Sequence, residues 1–136
     1  MLTDQQNDIL IGSLLGDGRL ECRSKSGTAR FRVHHADSQR DLLLWKYQNF
    51  KQHVRNAPWP NDWLDKRFNR KYRSWFFHTV TTDLFEPTWT RFYRLGQKRI
   101  PRNIADDLTP LAVAVWVMDD GCFSDNSISN FWNSKS

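Results

Sequence analysis

At 136 residues, 26% of them charged and 39% hydrophobic, the chain is long enough for one domain with a buried core. Its longest apolar run, Leu111 to Met118, falls far short of the ~20 residues of a membrane span, and Cys22 and Cys122 form no C-x-x-C pair for zinc or a disulfide framework. The net charge of +5 is unevenly spread, because residues 19–102 hold nineteen Lys/Arg against seven Asp/Glu while both flanks are net acidic. Five of the seven Trp and seven of the nine Phe lie in this basic stretch, a mixture that suits a polyanion, and nucleic acid more than a membrane surface. With no secretory signal or transit-peptide composition, the expectation is a soluble intracellular protein, organellar or bacterial.

In chain order, Thr3 with Gln6 makes a capping-box pattern, and Ile9, Leu10, Ile11, Leu14 and Leu15 continue a helix to Gly16-Asp17-Gly18, where glycine ends it. A hairpin follows. Leu20 and Cys22 alternate with Arg19, Glu21, Arg23 and Lys25, and after a Ser26-Gly27 turn Arg30 and Arg32 alternate with Phe31 and Val33. A side-chain period of two predicts one apolar sheet face and one face displaying cations, with Arg19, Arg23, Lys25, Arg30 and Arg32 placed for phosphates and base edges. His35 is read as a strand-end residue with an open role as a water-positioning group.

Ser38 is placed to cap a second helix over residues 39–55, with Leu43, Tyr47, Phe50 and Val54 as its stripe and Arg40, Lys46, Lys51 and Arg55 solvated. Pro58 and Pro60 break the chain. Residues 63–68 and 72–81 then read as a second hairpin turning near Asn69-Arg70, where Arg67, Arg70, Lys71 and Arg73 cluster beside aromatics as further nucleic-acid contacts. Thr82 or Asp83 opens a third helix with Phe85, Trp89 and Phe92 inside, residues 97–102 form a loop, and Thr109-Pro110 starts a last helix. That helix is apolar on every side, which predicts burial between partners, the first helix being the obvious one.

The last helix repeats the first. Leu10 to Gly18 and Val113 to Gly121 are both apolar nonapeptides closing on an acid and a glycine, and Asp17 and Asp120 stand 103 residues apart. Two such helices packed side by side would bring their acids together, a natural seat for divalent metal and phosphodiester chemistry. These two motifs, together with Asp41 to Trp45, Phe92-Tyr93, Lys98 to Pro101 and Leu108 to Ala112, resemble the LAGLIDADG homing endonucleases over residues 3 to 123.

The resemblance implies an α+β fold, the αββαββα repeat with an antiparallel saddle lying in the DNA major groove. Residues 1–108 would be the first repeat and 109–136 the second motif helix and the start of a second repeat that is only begun, since fifteen residues follow Gly121. It implies site-specific cleavage of double-stranded DNA with Mg²⁺ held by Asp17 and Asp120, one acid serving each strand, and with the carbonyls of Gly16 and Asp119 adding to the shell. Lys98, beside Arg99 on the loop leading back to the second motif, is placed to neutralise the scissile phosphate. Leu15 stands where many members carry an acid, and Val115 and Asp119 where glycines often let the helices approach. A full-length member would be a monomeric pseudo-dimer with no membrane partner. An intron maturase, binding its own intron RNA, and an inactive remnant of an endonuclease are the other readings of the same residues.

Overall fold

The computed structural model describes residues 1–22 and 27–120. Elements follow as α1 (Asp4–Leu15), β1 (Arg19–Glu21), β2 (Arg30–Ala36), α2 (Arg40–Phe50), β3 (Trp59–Asp65), β4 (Arg70–His78), α3 (Glu86–Phe92), β5 (Tyr93–Arg94), β6 (Gln97–Lys98) and α4 (Pro110–Asp119). This is the expected αββαββα order, followed by a small hairpin and the second motif helix. Strands β1-β2-β4-β3 form one antiparallel sheet in that spatial order. No helix among the described residues is long and apolar enough to cross a membrane.

Local chemistry accounts for most boundaries. Thr3 accepts from the Gln6 N–H while the Gln6 side chain accepts from the Thr3 N–H, the reciprocal capping box. Thr109 caps α4 by accepting from the Ala112 N–H, with Pro110 in the first turn. The second hairpin is longer than its apolar pattern, because β3 begins at Trp59 and takes Pro60 into the sheet; as the edge strand it needs no inter-strand N–H there. Asn69 turns that hairpin with φ 47°, a conformation Asn tolerates. The expected loop at 97–102 instead opens as β6, paired with β5 across Leu95-Gly96, both at positive φ as a tight two-residue hairpin turn requires. Ser38 does not cap α2; it lies in a 3₁₀ turn over Asp37–Gln39 that leads into the helix.

The helices cover one face of the sheet. Phe31 of β2 sits at the middle of the core, its ring 5.1 Å from Phe50 and 6.5 Å from Phe77 in edge-on arrangements, with Phe85 alongside. The first motif helix packs directly on the second. A Cβ placed on Gly12 would lie 2.5 Å from the Ala112 carbonyl oxygen and 2.7 Å from Val115 Cβ, and one turn on a Cβ at Gly16 would lie 2.7 Å from Asp119 Cβ. The two helices therefore run parallel, with first-motif glycines receiving second-motif side chains. Helix α4 is buried on that side only; Ala112 and Val115 are covered, whereas Trp116 is 39% exposed, so the expectation of burial all round is corrected.

Gly12→Ala should force these helices apart and lower the unfolding free energy by about 1–3 kcal/mol, as overpacking commonly does. Urea denaturation monitored by tryptophan fluorescence would read this directly, and an unchanged midpoint would show that α4 is free to move away.

Candidate active site and nucleic-acid interface

Alternation along the strands decides what faces the uncovered side of the sheet. Residues paired across the ladder share a face, so Arg19 of β1 joins Arg32 and His34 of β2, Phe76, Tyr72 and Arg70 of β4, and Trp59 and Trp63 of β3. These side chains make one ladder: His34 stacks on Phe76 at 4.2 Å, Trp59 on Phe76 at 6.0 Å, and Trp63 on Tyr72 at 4.7 Å. Arg32 lies over Phe76 and Arg70 over Tyr72. Arg19, Arg30 and Arg32 all converge on Glu21, and Arg30 Nε donates to its Oε1 at 2.8 Å. Burial raises the Glu21 carboxyl, but the Arg30 hydrogen bond and the three guanidinium charges outweigh it and hold the carboxyl below its ordinary value. The carboxylate spaces three cations that would otherwise repel.

The expected nucleic-acid contacts thus divide. Arg19, Arg30, Arg32 and Arg70 lie on the open face. Lys71 and Arg73 alternate to the opposite side, where Arg73 Nε donates to Asp62 at 2.7 Å, and Arg67 sits in the β3–β4 turn paired with Asp65. Arg23 and Lys25 lie outside the described residues.

The two motif helices end beside this face. Asp17 and Asp120 are the residues that immediately follow the touching pair Gly16 and Asp119, and both are exposed. Asp17 lines a pocket of about 160 Å³ with Arg19, Arg32, His34 and Phe76. Burial, helped by the neighbouring His35 and Arg32, pushes the His34 imidazole below its ordinary value against the pull of Asp17. Lys98, on β6, donates to the carbonyls of Gly16 at 3.0 Å and Gly18 at 2.8 Å. Burial lowers the Lys98 ammonium, with Asp17 and Asp119 pulling the other way.

Asp119 turns inward. It is 1% exposed, and its Oδ2 accepts from the Asp17 main-chain N–H at 3.0 Å. Its Oδ1 accepts from the Lys46 ammonium and lies 3.1 Å from His35 Nε2. Lys46, expected in solvent, is wholly buried, and His35 lies inside on the apolar face of β2 with Phe31 and Val33. The physical reason is pairing: each charge needs the others once water is gone. Gln39 Oε1 lies 3.1 Å from His35 Nδ1, and His35 Nε2 lies 3.1 Å from both Lys46 Nζ and Asp119 Oδ1. Burial raises the Asp119 carboxyl, yet the His35 hydrogen bond and the Lys46 charge outweigh it and hold the group below its ordinary value. Burial lowers Lys46 more than Asp119 raises it.

As a metal centre, the paired helix ends offer carboxylate and carbonyl oxygens. Among the described residues no three His, Cys, Asp or Glu are grouped for a metal. Two carboxylates with few other protein donors fit a hard divalent cation that keeps water ligands rather than a closed protein cage.

The described residues thus make an antiparallel sheet with cations and aromatics on one face and two acid-ending helices beside it. Residues 7–132 match the LAGLIDADG DNA endonuclease family, and the chain belongs to that family. It is 34% identical over 128 residues to the DNA endonuclease I-ChuI of Chlamydomonas applanata, a match covering 88% of this chain and 59% of that protein. It is 31% identical over 126 residues to the cytochrome b mRNA maturase bI2 of Debaryomyces hansenii, covering 88% and 47%. The solved structure of the homing endonuclease I-WcaI bound to its DNA recognition sequence shares the fold, with a TM-score of 0.80 at 20% identity over 93% of this chain and 55% of that one. The chain spans little more than half the length of the endonucleases it matches.

Lys46→Met, which strands the buried Asp119 charge, should cost about 3–5 kcal/mol of stability, and adding Asp119→Asn should restore most of it. Because Asp119 titrates below its ordinary 3.8 in the fold, its contribution is complete above that value and drains away as pH falls toward the lowered one. Acid unfolding of Asp119→Asn should accordingly show a shallower loss of stability below about pH 4 than the unmodified chain; matching curves would deny the coupling.

Proposed function

We propose that this chain carries the first repeat (residues 1–108) and the second motif helix with the start of a second repeat (109–136) of a site-specific endonuclease cutting double-stranded DNA. Asp17 and Asp120 would hold Mg²⁺, with the Asp119 carbonyl as a further oxygen donor and the Gly16 carbonyl, which accepts from Lys98, donating only through its second lone pair. The observation that carries the reading is the contact of Gly16 with Asp119, which sets Asp17 and Asp120 at one end of the paired motif helices, beside the cationic sheet face.

Bound Mg²⁺ would supply a lowered water pKa and charge stabilisation of the leaving 3′ oxygen. The chain's own residues supply the rest. Arg19, Arg32 and Arg70 bind phosphates along the open face, Arg30 shares the charge held by Glu21, and Arg67, Lys71 and Arg73 flank the hairpin end. Lys98, close enough to Asp17 for the two charges to feel one another, balances the phosphate charge drawn to the acids. Likeness to an mRNA maturase favours a second reading, intron RNA binding without cleavage, which uses the same cationic face and has no need of the acids.

Incubation of the chain with a randomised duplex library and Mg²⁺, followed by sequencing of cut ends, should return a recurrent site; Asp17→Asn should abolish cutting by a factor above about 10² while leaving duplex affinity nearly unchanged. Tight binding to structured RNA with no DNA cutting would favour the second reading. Arg32→Ala should weaken duplex binding and reduce the slope of log affinity against log salt by about one. An unaltered slope would remove β2 from the interface.

A further inference from the structure

The peptide unit joining Gly16 to Asp17 is held at both ends by charges from elsewhere in the chain. Its carbonyl oxygen accepts from Lys98 Nζ at 3.0 Å, and its N–H donates to Asp119 Oδ2 at 3.0 Å. The flanking amides close locally, Gly16 N–H onto Gly12 and Ser13 and Gly18 N–H onto Ser13, whereas the Asp17 N–H reaches across to the other motif helix. A cation on the carbonyl and an anion on the N–H complement the peptide dipole, so both charges favour the same orientation. Glycine at position 16 imposes little orientation of its own.

Behind Asp119 the bracing continues. Lys46 and His35 hold its second oxygen, Gln39 holds His35 through Nδ1, and the Gln39 amide donates to the Met118 carbonyl at 2.7 Å, returning to the end of α4. Packing alone does not call for this arrangement. A buried ion pair commonly adds no more stability than apolar residues of the same volume, and an apolar residue at 119 could not accept the Asp17 N–H.

We propose that Asp119, locked by Lys46 and His35, acts with Lys98 as a clamp on the Gly16–Asp17 peptide that sets where the Asp17 carboxylate stands. Asp119 and Lys46 are then positioning residues, acting on the metal through Asp17 as hydrogen-bonded outer groups do around metal ligands. The inference rests on the metal-binding reading of Asp17 proposed above, and it makes the two motifs unequal, since the second motif positions the acid of the first.

Two charge-neutral double variants test it. Lys46→Met with Asp119→Asn keeps an oxygen acceptor for the Asp17 N–H; Lys46→Met with Asp119→Ala removes it. Amide hydrogen exchange followed by NMR should leave Asp17 protected in the first variant. In the second, Asp17 should exchange about tenfold faster or more while Leu10 and Leu14 amides of α1 stay protected, which a general loss of stability would not produce. Titration with Mg²⁺ alone should show at least about tenfold weaker binding in the second variant than in the first. Wild-type protection of Asp17 in the alanine variant would overturn the clamp. No Mg²⁺ response in the unmodified chain would instead refute the metal reading, and the exchange comparison would still decide the clamp.

Discussion

The close approach of α1 and α4 is the constraint on which the rest of the site depends. Gly12 and Gly16 remove the side chains that would hold the second motif helix off, and Val115 and Asp119 fill the space they leave. Once the helices touch there, Asp17 and Asp120 are placed by covalent geometry, one residue beyond the contact. The sheet is tied to the same point. Leu20 of β1 donates its N–H to the Tyr93 hydroxyl at 2.9 Å, and the β5–β6 hairpin that starts at Tyr93 presents Lys98 to the end of α1. Acids, cationic strand and lysine are thus fixed relative to one another through three short contacts at the rim of the one hydrophobic core that α1, β1, β2 and α4 share.

The polar cluster at that contact is costly unless complete. Lys46 falls on the apolar stripe of α2 between Leu43 and Phe50, where an unpaired ammonium would face several kcal/mol of lost hydration. Its partner comes from a helix 73 residues away in sequence. Each pairing is therefore available only in the assembled fold, which makes α4 docking, α2 placement and the register of β2 mutually dependent. A one-residue slip of β2 would turn His35 out to the open face and bring His34 inward, breaking the cluster and the His34–Phe76 stack together.

Much of this was legible in the chain. The capping box at Thr3, the capping threonine at Thr109, the period-two strand at Arg30 to His34 and the acid-glycine ending of α1 are local signals, and each stands where it was read; Gly121 of the second ending lies outside the described residues. The same period two, carried one residue further, places His35 inside, and applied to residues 70–73 it separates Arg70 from Lys71 and Arg73. The β5–β6 hairpin was masked because Leu95 in a positive-φ turn position gives no turn signal of its own. Lys46 could not be read at all. A lysine on a helix stripe looks like a solvated edge until its carboxylate is known, and nothing local to residues 39–55 announces Asp119.

The contact also carries an asymmetry that bears on how the two motifs relate. At the point of touching, the first motif presents Gly16 and the second presents Asp119. Two copies of the first helix would meet glycine against glycine, which lets the backbones approach but leaves no carboxylate to accept the N–H of Asp17. Two copies of the second would bring two aspartates into one buried space, where like charges repel and the bulk that Gly16 now accommodates has nowhere to go. Here the unlike helices give the Asp17 N–H its carboxylate acceptor. The cation that makes the aspartate tolerable, Lys46, comes from α2, the helix that follows the first hairpin, so the elements N-terminal to α4 supply both the space and the charge for the second motif. The pairing is a complementary one, specified by residues on both sides of the contact.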